Sequence, residues 1–263
     1  MRASYASVIH NLLTTVPLAA RNLSVPGCWA YPDMLEVGCD HGPGGDLDRG
    51  LSVAETRSHF GSWCIVSSPL TLSLDVNNAT IMDAAWPVIA NPEAIAVNQA
   101  WAGHSGGPFL TSQSGRSVPL SFGSPRGAAE AGVTLEGATV SIKEGASESA
   151  VARVSFSVPD WQYFSKPMEG GDKIAVLLMN YRNDATNLTL SLADVPGLEV
   201  VCGGGGGGGG GDGSASPACV VRDVWKRSDV GSFPFSSGIY ETSLEAHDAA
   251  FITISAGTGD IAK

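Results

Sequence analysis

The residues with most to offer chemically lie in one stretch, Cys28-Trp29-Ala30-Tyr31-Pro32-Asp33-Met34-Leu35-Glu36-Val37-Gly38. A short apolar segment runs into a proline, and a carboxylate follows the bend at once. An α/β barrel builds its site from such loops, at the C-terminal ends of its strands. Taken alone, an aspartate after a proline reads as a turn residue. A second group, Asp40, His41, Asp46 and Asp48, offers the oxygen and imidazole ligands that hold calcium or zinc. Its setting is a Gly/Asp-rich loop from Gly38 to Gly50, where a solvated acidic face is the better reading and no metal is expected. The run Gly203 to Gly211 is not a phosphate loop, because it lacks the preceding strand, the following helix and the lysine-serine ending. It reads as a flexible loop at a hairpin tip. Cys202 and Cys219 flank that loop and are candidate cross-strand neighbours. A disulfide between them stays open, since connectivity is not written in a sequence.

The elements that must position these groups change in kind along the chain. Tyr5, Val8, Ile9, Leu12, Leu13 and Val16 recur at helical spacing. His10, Asn11, Thr14 and Thr15 interrupt the apolar run that a signal peptide would need, so an amphipathic helix is expected there. Ser52-Val53-Ala54-Glu55 has capping-box spacing and predicts a helix running through Ile65. Short strands are expected within Trp29 to Val37 and from Leu70 to Leu74, and Asn91-Pro92-Glu93 opens another helix. From about residue 110 the period switches to two. Val154, Phe156 and Val158 alternate with polar residues, as do Leu188, Leu190 and Leu192. Lys173 to Asn180, Cys219 to Trp225 and Ala249 to Ser255 are further strand candidates, and the spacing suggests an antiparallel sandwich.

The 263 residues are 43% hydrophobic and only 16% charged, which describes a chain able to bury a sizeable core. A formal net charge of −11 argues against nucleic acid as a partner, because phosphate binding needs basic clusters. No run of 18 or more apolar residues occurs, so no membrane-spanning segment is expected. Five cysteines leave an odd count. Sequons at Asn22-Leu23-Ser24, Asn78-Ala79-Thr80 and Asn187-Leu188-Thr189 lean toward secretion.

The Cys28–Gly38 stretch is followed by Glu55-Thr56-Arg57-Ser58-His59-Phe60-Gly61-Ser62-Trp63, by Pro69-Leu70-Thr71-Leu72-Ser73-Leu74-Asp75, and by Glu93-Ala94-Ile95-Ala96-Val97-Asn98-Gln99. In this order and spacing the four blocks resemble the melibiase-type α-galactosidase and α-N-acetylgalactosaminidase family of retaining glycoside hydrolases. The resemblance is strong over residues 1 to about 100 and continues more weakly to the end. It implies α/β followed by all-β: the C-terminal end of a (β/α)8 TIM barrel over residues 1–105, then an antiparallel β-sandwich over 106–263. Family members commonly read Gly-Gly-Trp-Asn-Asp-Pro-Asp-Met-Leu where this chain reads Gly27 to Leu35. By that match Asp33 lines the galactose pocket and Met34 packs against the sugar.

The same resemblance places both catalytic aspartates, in Lys-x-Asp and Arg-x-x-x-Asp segments, on earlier barrel strands. Neither segment has a matching position here, so the chain is expected to be truncated and inactive by itself. Ala30 and Tyr31 replace the usual Asn-Asp, and Asn77 replaces a basic residue usual after Asp75. The implied activity of the whole enzyme is removal of terminal α-linked galactose by double displacement, with no metal or organic cofactor. The implied partner is an α-galactoside, with a homodimer of the full-length enzyme left open. The location is secreted, lysosomal or vacuolar. Specificity for α-N-acetylgalactosamine and a non-catalytic sugar-binding remnant remain alternatives. His59, Trp161 and Trp225 are expected to pack rather than to react.

Overall fold

The computed structural model describes residues 3–39, 50–122, 139–141, 152–203 and 218–257. The acidic loop with Asp40, His41, Asp46 and Asp48, and all but the first residue of the glycine run, lie outside the described residues. Four helices come first: α1 (Tyr5–Ala20), α2 (Val53–Ile65), α3 (Ala79–Ile89) and α4 (Pro92–Gln99). Three of them start on side-chain caps that meet the orphan amides of the first turn. Ser52 and Glu55 form the expected capping box on α2, Asn78 caps α3, and Asn91 caps α4 with proline behind it. Helix α3 is absent from the expectations drawn from sequence, and Pro87 inside it is the reason.

The strands expected around Val37 and from Leu70 to Leu74 are reduced to one isolated parallel bridge, Leu35 to Leu72. A parallel pair is marginal without neighbours on either side, and among the described residues each segment has only the other. A closed barrel is therefore not present in the described part of residues 1–105.

Eleven strands follow among the described residues. They are β1 (Gly107–Thr111), β2 (Gly115–Phe122), β3 (Thr139–Ser141), β4 (Ala152–Pro159), β5 (Trp161–Pro167), β6 (Lys173–Asn180), β7 (Thr186–Ser191), β8 (Ala218–Asp223), β9 (Ser228–Pro234), β10 (Ile239–Leu244) and β11 (Ala249–Ala256). All named pairings are antiparallel, as the alternation suggests. The main sheet runs β1-β5-β6-β11-β8-β9; β10-β7 and β2-β4-β3 form smaller sheets. The strand expected over Cys219 to Trp225 ends at Asp223, so Trp225 turns back onto the sheet and donates Nε1 to the Ala249 carbonyl.

Strands β6 and β11 are buried on both faces, and the period of two sorts their side chains. Ile174, Val176 and Leu178 of β6, with Ala250, Ile252 and Ile254 of β11, face Leu188, Leu190, Tyr240 and Leu244 of the two-stranded sheet. Ala175, Leu177 and Met179, with Ala249 and Phe251, face Leu12, Phe60, Trp63 and Ile65 of the helices. The helical segment and the sandwich thus share a core. Gly61 of α2 permits the close approach: an added Cβ would lie 3.0 Å from Leu177 and 3.1 Å from Trp225. Gly106, at φ +91, makes the joint into β1, where a Cβ would stand 1.8 Å from the Ile65 carbonyl oxygen.

Polar bonds line the rim of this contact. Arg57 makes a bidentate pair with Asp248 at 3.0 and 2.6 Å. Arg222 does the same with Glu93 at 2.9 and 2.7 Å. Lys166 is fully buried, and its ammonium donates to the carbonyls of Val97 and Asn98, covering the C-terminal end of α4. Burial pulls that amine down to about 8. Glu55 serves two structures at once. One carboxylate oxygen accepts the Ser52 amide at 2.9 Å, and the other lies 2.8 Å from Nδ1 of His247, which stacks on Tyr5. Burial raises the Glu55 carboxyl, but the bonds from His247 and Ser52 outweigh it and hold the group below its ordinary value. Cys202, ending a short helical turn from Leu198, is disulfide-bonded to Cys219 of β8, with Cα atoms 5.5 Å apart.

Two stability predictions follow from these ties. A depressed carboxylate contributes stability above its unfolded pKa and loses it as pH falls through the folded value. Glu55→Gln should therefore cost about 1 kcal/mol at pH 7 by urea unfolding, and the gap to wild type should close on acidification. A gap that is absent at pH 7, or that widens in acid, would show that the carboxylate charge is not what matters. The disulfide closes a separation of 17 residues, so the Cys202→Ser/Cys219→Ser chain should lose about 3 kcal/mol by chain entropy. Equal unfolding midpoints with and without reductant would contradict it.

Candidate functional site

The loop after Pro32 is built around a backbone outlier. Asp33 has φ +101, a region that side-chain-bearing residues seldom adopt. Such conformations cost of order 1–3 kcal/mol and persist only where surroundings enforce them. Enforcement here comes from α2. Buried Trp63 donates Nε1 to the Asp33 carbonyl at 2.8 Å, and His59, one turn earlier on the same face, accepts the Glu36 amide on Nε2 at 2.9 Å. The two rings meet edge to face at 4.2 Å between centroids. Between these anchors the Leu35 amide donates to the Thr71 carbonyl at 2.8 Å, fixing the loop to the segment that ends at Asp75.

His59 is fully buried, and burial holds its ring pKa down at about 3, so it is neutral. Because Nε2 accepts, Nδ1 carries the proton, and it has no partner among the described residues. This ring is a support and not a proton shuttle. The sequence placed His59 in a packing helix; what it did not show is that His59 and Trp63, four apart, both hold the loop.

Two side chains of the loop face outward. Met34 is 42% exposed and Tyr31 46%, while Ala30 turns inward. The Asp33 carboxylate accepts the Met34 amide at 2.8 Å. Partial burial raises that carboxyl, but hydrogen bonds to its charged form, the Met34 amide among them, hold it below the usual range. The loop thus sets a half-buried, ionised carboxylate next to an exposed thioether and phenol, groups that can accept hydrogen bonds and offer apolar contact. A second carboxylate in the described neighbourhood, Asp75, is exposed and accepts the Asn77 amide at 2.9 Å. No cluster of three or more metal-ligating side chains occurs among the described residues.

A cavity of about 360 Å³ lies elsewhere, between α1 and β2, and its polar groups are turned on one another. Asn183 Oδ1 takes both Arg116 Nη2 and His247 Nε2 at 2.9 Å. Trp161 and Trp225 pack at the margins of the two cores, Trp161 against Tyr163 and Trp225 against Phe251.

Removing one loop anchor should loosen the loop without unfolding the protein. Trp63→Phe keeps most of the ring and deletes the donor, at a cost of about 1–3 kcal/mol. Amide exchange should accelerate at Met34 to Glu36 while β6 and β11 stay protected. Unchanged exchange in the loop would mean that Trp63 does not hold it.

A family model described as the alpha galactosidase C-terminal beta sandwich domain matches residues 158–254. Alpha-galactosidase 3 of Arabidopsis thaliana is 26% identical over 223 residues, 85% of this chain and 34% of that protein. An alpha-galactosidase of Oryza sativa is 40% identical over 81 residues, 31% of this chain and 17% of its own length. Among solved structures, alpha-galactosidase I from Mortierella vinacea aligns with TM-score 0.61 at 21% identity, covering 94% of this chain and 44% of that one. A GH27 β-L-arabinopyranosidase from Geobacillus stearothermophilus aligns with TM-score 0.63 at 15% identity, covering 99% and 44%. At such identities the structural matches speak for the fold. The chain spans about a third or less of the curated relatives' length. Residues 158–254 thus match the C-terminal β-sandwich of alpha-galactosidases, and that match, these relatives and the shared fold together support a melibiase-type family.

Proposed function

We propose that this chain is the C-terminal portion of a retaining α-galactosidase, with Asp33 and Met34 contributing to the galactose pocket. The observation that carries the reading is the strained, anchored loop at Asp33, which holds a half-buried carboxylate next to an exposed thioether on a fixed base. The relatives named alpha-galactosidase support the reaction class. In that reaction one carboxylate attacks the anomeric carbon while a second protonates the leaving oxygen, and water later releases the sugar. Asp33 would bind or orient in this scheme and would not react. The two reacting aspartates would come from earlier strands. The domain reading is the barrel's last strands over residues 1–105 and the sandwich over 106–263. The parallel bridge at Leu35 and Leu72 supports it, as do exposed Leu72, Val76 and Trp86 beside it. The working enzyme would act on α-galactosides, in a secreted or vacuolar setting.

A second reading, a sugar-binding remnant, is favoured by one feature: Ala30 is buried and Tyr31 exposed where the family usually carries Asn-Asp. On this reading purified intact chain should give no turnover of an aryl α-galactoside, since no position in it matches the Lys-x-Asp and Arg-x-x-x-Asp segments that would carry the reacting carboxylates. Measurable turnover would overturn the assignment. Sequencing the 5′ end of the message separates the readings. A frame that continues upstream into Arg-x-x-x-Asp and Lys-x-Asp supports a working enzyme. A message starting at Met1, with galactose binding by calorimetry, supports the remnant.

A further inference from the structure

The three sequons are the one sequence feature that the proposed reaction leaves unused, and the structure distinguishes them. Asn22 lies in a tight turn at φ +53, with Ser24 buried and its Oγ accepting the Ala30 amide at 3.0 Å. At Asn78 the side chain is engaged as the cap of α3, with Oδ1 accepting the Thr80 and Ile81 amides. Asn187 differs from both. It lies in β7, where successive side chains alternate, so Asn187 and Thr189 share the outer face while Leu188 points into the core. Both are exposed, and neither side chain makes a hydrogen bond among the described residues.

The surroundings also offer room. Asn187 stands opposite Ser243 and Thr189 opposite Glu241 across the β7–β10 pair. These four residues and Thr242 line an open depression of about 270 Å³ with a hydroxyl, amide and carboxylate surface. A pyranose ring seated there would meet polar groups on every side. Among the described residues the sheet beneath has two strands, and each has an edge with no strand paired to it. Unpaired edges invite pairing with other chains, and a bulky hydrophilic group beside them blocks it.

We propose that Asn187 carries an N-linked glycan. The donor is a lipid pyrophosphate-linked oligosaccharide. A bond forms between Asn187 Nδ2 and the anomeric carbon, the bond from that carbon to the pyrophosphate oxygen breaks, and the amide gives up one proton. The lipid pyrophosphate leaves. Transfer occurs on the entering chain, before folding, and the folded β7 then retains the sugar without displacing any bond. The inference rests on the secretory reading given above.

The test is translation of the full chain, behind a secretion leader, into microsomes, with Asn187→Gln and Thr189→Ala beside wild type. Protease-protected wild type should contain a species that N-glycosidase converts to lower mass, and each variant should lose one glycan. Protected chain modified at Asn22 or Asn78 but not at Asn187 would overturn the site and leave the secretory reading standing. Protected chain bearing no glycan would overturn the site as well. Peptide mapping of the protein from its own cells then tests location separately. Sugar on the Asn187 peptide supports both ideas. A bare Asn187 peptide overturns the proposal for the native protein, and cytosolic fractionation of that protein overturns the secretory reading with it.

Discussion

Strands β6 and β11 are buried on both faces, and the remaining architecture depends on that constraint. Each residue along them must satisfy one of two cores, with no solvent face to absorb an error. A slip of one residue would send Ile174, Val176 and Leu178 into the helical core and Ala175, Leu177 and Met179 into the sandwich. Volumes differ between those sets, so both cores would fail together. Fully burying a side chain of this size is worth roughly 1.5–3 kcal/mol, and two strands supply many such residues. Register is therefore fixed from both sides.

The same constraint explains where polar groups are tolerated. Charged bonds between helices and sandwich sit at the rim, as with Arg57 to Asp248 and Arg222 to Glu93. Lys166 is the exception in the interior, and it is matched by two helix-end carbonyls that would otherwise go unpaired. Glu55 sits at the junction of two such demands, satisfying the start of α2 and the side of His247 with one oxygen each. A carboxylate in that position costs desolvation, yet it removes two worse problems.

Legibility in the sequence followed the range of the interaction that decides each feature. The capping box, the proline at the start of α4, the alternation in β4 and β7 and the apolar runs of β6 and β11 are settled within a few residues, and all are present. Helix α3 was hidden by Pro87, because a local breaker outranks a local cap when only local signals are read. The strands around Val37 and Leu72 were overread: their propensity is strand-like, but a ladder needs neighbours that no local pattern supplies. Asp33 stood out through its proline and its family match. The positive φ, and the two α2 rings that enforce it, involve residues about thirty positions away and left no local mark. The Cys202–Cys219 bond lay between these cases: the pair was suggested by a shared loop, but it joins a short helical turn to β8 and not two strands.

These pieces assign the sandwich a mechanical role toward the site. Trp63 belongs to the buried core that packs against Leu177 and Phe251 of the sheet, and the same indole grips the Asp33 carbonyl. His59, equally buried, grips Glu36 from the preceding turn. The strain at Asp33 can be sustained only if α2 cannot yield, and α2 cannot yield because the central sheet fills the space behind it. Gly61 sets the distance of that backing to within a methyl group. On this argument the β-sandwich governs the geometry of the Asp33 loop through α2, by backing the helix that carries both anchors.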